Sequence, residues 1–263
     1  MNILGVGVSP IDLMEAVARI KGWISRNEPH YVCVRDVHGV VACQKDERLR
    51  RIHNQAGMVT PDGMPLVWIS RRRGFKNVGR VCGPDLLPAV IGDVQDEGCR
   101  HFFYGGDTGV ADKLVANLRM RFPGLKVVGT LSPPFRPLTD EEDREVIRQI
   151  NDSGADIVWV GLSTPKQEFW MADHRKHLSA PVLIGIGAAF DFLAGVKPHA
   201  PRWVQRAGLE WSFRLLTEPG RLWRRYLTVI PSFLVLFMLQ SLHLKKFPID
   251  GGVKDPHAGN SPQ

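Results

Sequence analysis

The stretch "CRHFFYGGDTGVADKLVANLRMRFP", residues 99–123, decides the fold. "CRHFFYGG" is rich in β-forming aromatics and stops at Gly105-Gly106, which reads as a strand ended by a turn. "GVADKLVANLRMRFP" then repeats apolar residues at helical spacing and ends before Pro123, which reads as an amphipathic helix. "LKVVGTL" (125–131) resumes as a strand, and "TDEEDREVIRQINDSG" (139–154) has an acid-rich first turn and a glycine stop, as a helix should. "ADIVWVGL" (155–162) and "APVLIGIGAAF" (180–190) are near-continuous apolar runs, the pattern of strands covered on both faces. "HYVCV" (30–34) is a further strand, followed by a helical stretch to about Asn54, and "PIDLMEAVARIKGWIS" (10–25) adds a helix before it. Alternating strands and helices imply an α/β, Rossmann-like parallel sheet, whose ligands bind beyond the carboxyl ends of the strands.

The chain has 263 residues, of which 44% are hydrophobic and 23% charged, ample for a packed core. A formal net charge of +7 favours anionic partners such as phosphates, nucleic acid or anionic lipid. Cys33, Cys43, Cys82 and Cys99 show no metal-ligand spacing and read as small core residues in a reducing compartment. "MNILGVGVSP" lacks the charged region and cleavage site of a signal peptide, so a cytoplasmic location is expected.

Beyond residue 196 the character changes. Over residues 197–246 nine cations (Lys197, Arg202, Arg206, Arg214, Arg221, Arg224, Arg225, Lys245, Lys246) face two carboxylates, Glu210 and Glu218, a surplus equal to the whole net charge. Trp203, Trp211 and Trp223 interleave with the arginines, and "YLTVIPSFLVLFMLQSLHL" (226–244) follows. Pro231 interrupts that run, which falls short of the ~20 uninterrupted apolar residues of a spanning helix. A basic, amphipathic helix lying at an anionic membrane surface fits better, and a core-packed helix with solvated arginines is the alternative. Arg214, Arg221, Arg224 and Arg225 are spaced to share one face of a continuous helix, which Pro219 would break. The organisation expected is an α/β catalytic domain over 1–196, a membrane-associating appendage over 197–246, and a disordered Gly/Pro-rich tail over 247–263.

Several residues can carry chemistry. Gly105 and Gly106 let backbone approach a ligand at a helix N-terminus that offers free N–H groups to a phosphate, although a tight strand–helix turn explains them as well. In "VGLSTPKQEFW" (160–170) Gly161 ends a strand, Gln167 can bond a base edge, and Glu168 can accept from ribose hydroxyls or complement the helix dipole. Asp191, inside apolar "GIGAAFDFLAG" (185–195), either caps locally or contacts a ligand. Asp62, between Pro61 and Gly63, stands at the lip of an apolar run. These features suggest a nucleotide-diphosphate site beside a membrane.

The motifs "VTPDGMPLVW" (59–68), "RVCGPDLL" (80–87), "FFYGGDTGVADKL" (102–114), "GADIVWVGLSTPKQEFW" (154–170), "GIGAAFDFLAG" and "HAPRWVQRAGLEWSFRLLTEPGRLWRRY" (199–226) resemble, in order, the bacterial WecG/TagA/CpsF glycosyltransferases. The resemblance covers about residues 3–240. It implies an inverting transfer of a hexosyl or N-acetylhexosaminyl unit from a UDP-sugar to a polyprenyl-diphosphate-linked saccharide, at the cytoplasmic face of the inner membrane, in cell-envelope or exopolysaccharide synthesis. It also implies no cofactor and no essential metal, in keeping with the lack of a DxD motif or Cys/His cluster. Asp62 falls on the family's proposed catalytic base, and an apolar surround would raise its pKa for that task. The alternative is a turn former before Gly63. Arg80 matches an arginine near the substrate phosphates, and the tail arginines are expected to close the site. Where the family has Thr-x-Asn, this chain has Arg35 and Val37, with His38 next as a polar contact or structural histidine; the departure bears on acceptor or sugar recognition. A non-catalytic nucleotide-binding scaffold is the runner-up, a nucleic-acid partner is disfavoured, and a homo-oligomer is compatible with the reading.

Overall fold

Strands that are apolar on both faces can pair in parallel only if helices cover each side. The computed structural model describes residues 1–249, apart from the Arg221 side chain; residues 250–263, most of the tail expected to be disordered, lie outside the described residues. A hairpin of β1 (Asn2–Ile3) and β2 (Val6–Gly7) leads into α1 (Leu13–Ser25), whose first turn is capped by the Asp12 carboxylate. Next come β3 (His30–Arg35), α2 (Val37–Ala42), α3 (Glu47–Gln55), β4 (Met58–Pro61) and α4 (Met64–Arg72). The second half of the sheet follows as α5 (Gly83–Val94), β5 (Arg100–Gly105), α6 (Val110–Arg121), β6 (Lys126–Leu131), α7 (Asp140–Asp152), β7 (Ile157–Gly161), α8 (Lys166–His174) and β8 (Val182–Gly185). The chain then forms α9 (Ala189–Leu193), α10 (Arg202–Arg206), α11 (Glu210–Thr217) and α12 (Pro219–Ser241).

Six strands form one parallel sheet in the order β4-β3-β8-β7-β5-β6. Alternate side chains point to opposite faces. Val32, Phe103, Trp159 and Ile184 pack under α1, α5 and α6, whereas Tyr31, Tyr104, Val158 and Leu183 pack on the other face, where Phe233 of α12 joins them. All four cysteines are buried.

Several local expectations change. The helical stretch to Asn54 is two helices, each started by its own aspartate cap, Asp36 and Asp46. The apolar run 180–190 ends its strand at Gly185 and turns through Gly187 (φ 49°) into α9. Pro231 does not interrupt α12, which is continuous over 23 residues. An internal proline costs ~3 kcal/mol or more, but Pro231 is exposed while Phe233 and Phe237 on the same helix pack against the body. Leu222–Ser241 is therefore long and apolar enough, by length and composition, to cross a membrane. Pro219 starts α12 after a corner at Glu218, so Arg214 on α11 does not share a continuous helix with Arg221, Arg224 and Arg225.

The carboxyl ends of β5 and β7 meet without side chains between them. A Cβ on Gly105, whose φ is 125°, would lie 2.6 Å from the Gly161 carbonyl carbon, and one on Gly161 would lie 2.7 Å from the Phe190 ring. Gly161→Ala is expected to destabilise the fold by about 1–3 kcal/mol through overpacking, measured by urea unfolding; an unchanged midpoint would show that Phe190 gives way freely.

Candidate functional site

The β4–α4 turn, the start of α2 and the C-terminal helices enclose a cavity of about 490 Å³ at the carboxyl edge of the sheet. Asp62 enters it because β4 ends there: its N–H donates to the Arg35 carbonyl at 2.8 Å, tying the turn to the end of β3. Arg80 holds the turn from the other side. Its Nε donates to the Asp62 carbonyl (2.7 Å), its Nη1 to Gln205 Oε1 (2.5 Å) and its Nη2 to Glu210 Oε2 (2.6 Å). The same Nη2 lies 3.8 Å from Asp62 Oδ1. One guanidinium thus joins the β4 turn to α10 and α11.

The Asp62 side chain keeps one-third of its surface accessible and lines this cavity. Burial pushes its carboxyl up to about 7; Arg80 and Arg214 oppose the shift, whereas Glu210 and Asp36 add to it. Asp36, on the same wall, behaves oppositely. Burial pushes it up as well, but His38, the Gly39 N–H at 2.9 Å, Arg35 and Arg214 hold it below the usual range. Neighbouring carboxyls driven apart in this way mark one fixed anion and one group able to exchange a proton near neutrality. Burial pushes His38, also on the wall, below the ordinary imidazole value; Asp36 opposes that shift, and Arg225, Arg35 and Arg214 add to it.

Arg214 lines the cavity with its guanidinium over the Phe192 ring (5.8 Å), and its buried Nε has no hydrogen-bond partner among the described residues. Arg225 is half-buried near His38, Arg224 is exposed over Trp223, and the Arg221 side chain lies outside the described residues. Tyr226, Phe233 and Phe237 of α12 give the cavity an apolar wall.

The other residues singled out in the sequence gather at the ends of β5, β7 and β8, not in this cavity. Gly106 N–H donates to the Gly161 carbonyl at 3.0 Å. Glu168 is fully buried, and its Oε1 accepts from Arg35 Nη2, with Gln167 Nε2 at 2.8 Å. Burial pushes the Glu168 carboxyl up, and Arg35 and the Gln167 amide pull it back. Asp191 accepts from Lys197 Nζ at 2.6 Å. Arg35 Nε, Gln167 Oε1 and Glu168 Oε2 are buried without partners among the described residues. Because Arg35 and Asp36 are adjacent, the two clusters meet at the end of β3.

The sequence model of the Glycosyl transferase WecG/TagA/CpsF family matches residues 1–247. The chain belongs to that family. It is 28% identical over 233 residues to an N-acetylglucosaminyldiphosphoundecaprenol N-acetyl-beta-D-mannosaminyltransferase of Bacillus spizizenii (strain ATCC 23059 / NRRL B-14472 / W23), covering 89% of this chain and 88% of that protein. A protein of the same name from Bacillus subtilis (strain 168) is 28% identical over 207 residues, 78% of each chain.

In this glycosyltransferase the residues that sequence reading left without a role are Asp36, Gln205, Glu210 and Tyr226. Glu210 stood in the quoted "GLEW" motif, yet its partner Arg80 is 130 positions away, beyond any local pattern. Among the described residues, no group of three or more His, Cys, Asp or Glu is arranged to hold a metal ion.

With its carboxyl raised to about 7, Asp62 holds a proton in the native state that the unfolded chain has already released. Stability from this group is therefore lost as pH rises from the ordinary carboxylate range through about 7. Asp62→Asn is expected to raise the thermal midpoint more at about pH 8 than at about pH 5; equal shifts at both would show that the carboxyl is ordinary.

Proposed function

We propose that the protein is an inverting glycosyltransferase that moves an N-acetylhexosaminyl unit from a UDP-sugar to a polyprenyl-diphosphate-linked saccharide. The observation that carries this reading is the carboxyl of Asp62, raised to about 7 in a cavity that also holds Arg214 and an apolar wall from α12. The acceptor hydroxyl attacks the anomeric carbon of the donor as its proton passes to Asp62. The bond from that carbon to the UDP oxygen breaks on the opposite side, and UDP leaves with the electron pair. A single displacement needs one base and inverts the anomeric centre.

The donor nucleotide is assigned to the ends of β5, β7 and β8, where Gln167 and Glu168 keep buried acceptors without partners. Charge developing on the leaving diphosphate is met by arginine and backbone N–H groups, so no metal is required. Arg35, fixed on Glu168, takes up space where the family's threonine would leave room, and so shapes the choice of sugar.

On this reading a lipid-linked acceptor and a UDP-sugar donor put the enzyme's work at the cytoplasmic face of the membrane. Phe233 in the middle of α12 and Gln240 at its end are both held to the α/β body, the former in its core and the latter accepting from Leu4 N–H at 3.1 Å. A helix tied along its length to a globular body lies on a bilayer rather than across it. Leu227, Leu234, Val235 and Met238 remain exposed for that contact, and Trp203, Trp211 and Trp223 suit the headgroup level.

A panel of UDP-sugars with N-acetylglucosaminyl-diphosphate lipid, read by UDP release, tests the reading, with UDP-N-acetylmannosamine as the first donor because of the relatives' named activity. Turnover is expected to persist in EDTA. Asp62→Asn is expected to lose ~10²–10⁴-fold in rate while still binding UDP. UDP binding without turnover by the wild type on every donor would favour a scaffold, and EDTA-sensitive activity restored by Mg²⁺ would refute the metal-free mechanism.

A further inference from the structure

A second cavity, of about 940 Å³, shares Trp68, Ile69 and Phe237 with the Asp62 cavity and extends from them to β1, the end of α4 and the segment after α12. Arg72, Arg73, Lys245 and Lys246 line it, and no Asp or Glu does. Arg73 donates to the Asn2 carbonyl and lies over the Phe237 ring at 5.7 Å, while the Lys245 ammonium lies over Phe247 at 5.3 Å. Among the described residues these four cations have no carboxylate partner. Like charges gathered on one concave surface repel each other and focus a positive potential, so the complementary ligand is an anion.

The anion is separate from the reacting substrates. Helix α4 runs from Met64, beside Asp62, to Arg72. Its rise of ~1.5 Å per residue puts Arg72 about 13 Å from the catalytic turn. The Asp62 cavity has cations of its own for a substrate diphosphate, Arg80 and Arg214, and shares none of the four with the second cavity. The ligand must also suit apolar surroundings, since exposed Leu242, Leu244 and Met238 flank the same end of α12. A phosphate bordered by hydrocarbon is the signature of a phospholipid headgroup.

We propose that this cavity binds the phosphate of an anionic phospholipid and fixes the C-terminal end of α12 at the bilayer surface. The inference rests on the membrane-surface orientation of α12 set out above, and is independent of which sugar is transferred. With Arg224 and Arg225 near one end of the helix and this cavity at the other, both ends are held at headgroup level and the mouth of the Asp62 cavity lies between them.

Sedimentation of the full-length protein with phosphatidylcholine vesicles, with and without phosphatidylglycerol, tests the proposal. The wild type should prefer the phosphatidylglycerol vesicles. Arg72→Gln/Lys246→Gln should lose affinity for them by roughly fivefold per charge removed. A charge-matched control, Lys113→Gln/Arg119→Gln on exposed positions of α6 at the opposite face of the sheet, should bind nearly as the wild type does. Both double variants should retain UDP release in detergent. Equal losses in the two double variants would mean diffuse attraction and overturn the site. Full competition by millimolar inorganic phosphate would reassign it to free phosphate, which also overturns the proposal. Loss of lipid preference in the cavity variant alone, in a protein that releases no UDP with any donor, would sustain the site while refuting the transferase reading.

Discussion

The guanidinium of Arg80 is the contact on which the rest of the site depends. Its three donors end on the Asp62 carbonyl, Gln205 and Glu210, which lie up to 130 residues from it along the chain. An arginine can do this because its planar fork presents several donors in fixed directions, whereas a lysine would offer one point of charge. Among the described residues no other side-chain hydrogen bond fastens α10 or α11 to the β4 turn. With this link, the turn is roofed, Asp62 is desolvated, and Glu210 lies close enough to raise the Asp62 carboxyl further. Arg80 opposes part of that rise by its own charge, so the carboxyl settles near neutrality.

The second organising contact is the Arg35–Glu168 pair, in which both side chains are almost wholly withdrawn from solvent. A buried ion pair gives little net stability, but losing one partner leaves a stranded charge and costs about 3–5 kcal/mol. Its value here is positional. It locks the end of β3 to the start of α8, and so sets that edge of the sheet relative to the Asp62 cavity. Gly39 is part of the arrangement, since a Cβ there would meet the Arg35 guanidinium at 2.4 Å.

Much of the sheet was legible in the sequence because β3, β5, β7 and β8 are buried on both faces and read as continuous apolar runs. β4 was not, because an edge strand of four residues ending in proline has no periodicity to detect. The path of α12 through Pro231 was misread for a different reason: local propensity disfavours it, and packing of Phe233 and Phe237 against the body overrides that preference. Asp62 was legible through its setting between Pro61 and Gly63 and through family resemblance. Glu210 and Gln205 were not, because their role exists only once the chain has brought them to Arg80. The glycines at 105 and 161 were read as room for a ligand; in the structure, the space they leave is taken by each other's backbone and by Phe190.

The central claim is that burial and neighbouring carboxylates tune Asp62 to accept the acceptor's proton. The most direct measurement is the pH dependence of kcat/KM for wild-type transfer across neutrality, since that parameter reports the free enzyme's base. A single-proton fall in rate on the acid side, with its midpoint near the carboxyl's raised value of about 7, is the predicted result. A rate independent of pH through neutrality, in an enzyme limited by chemistry, would contradict it.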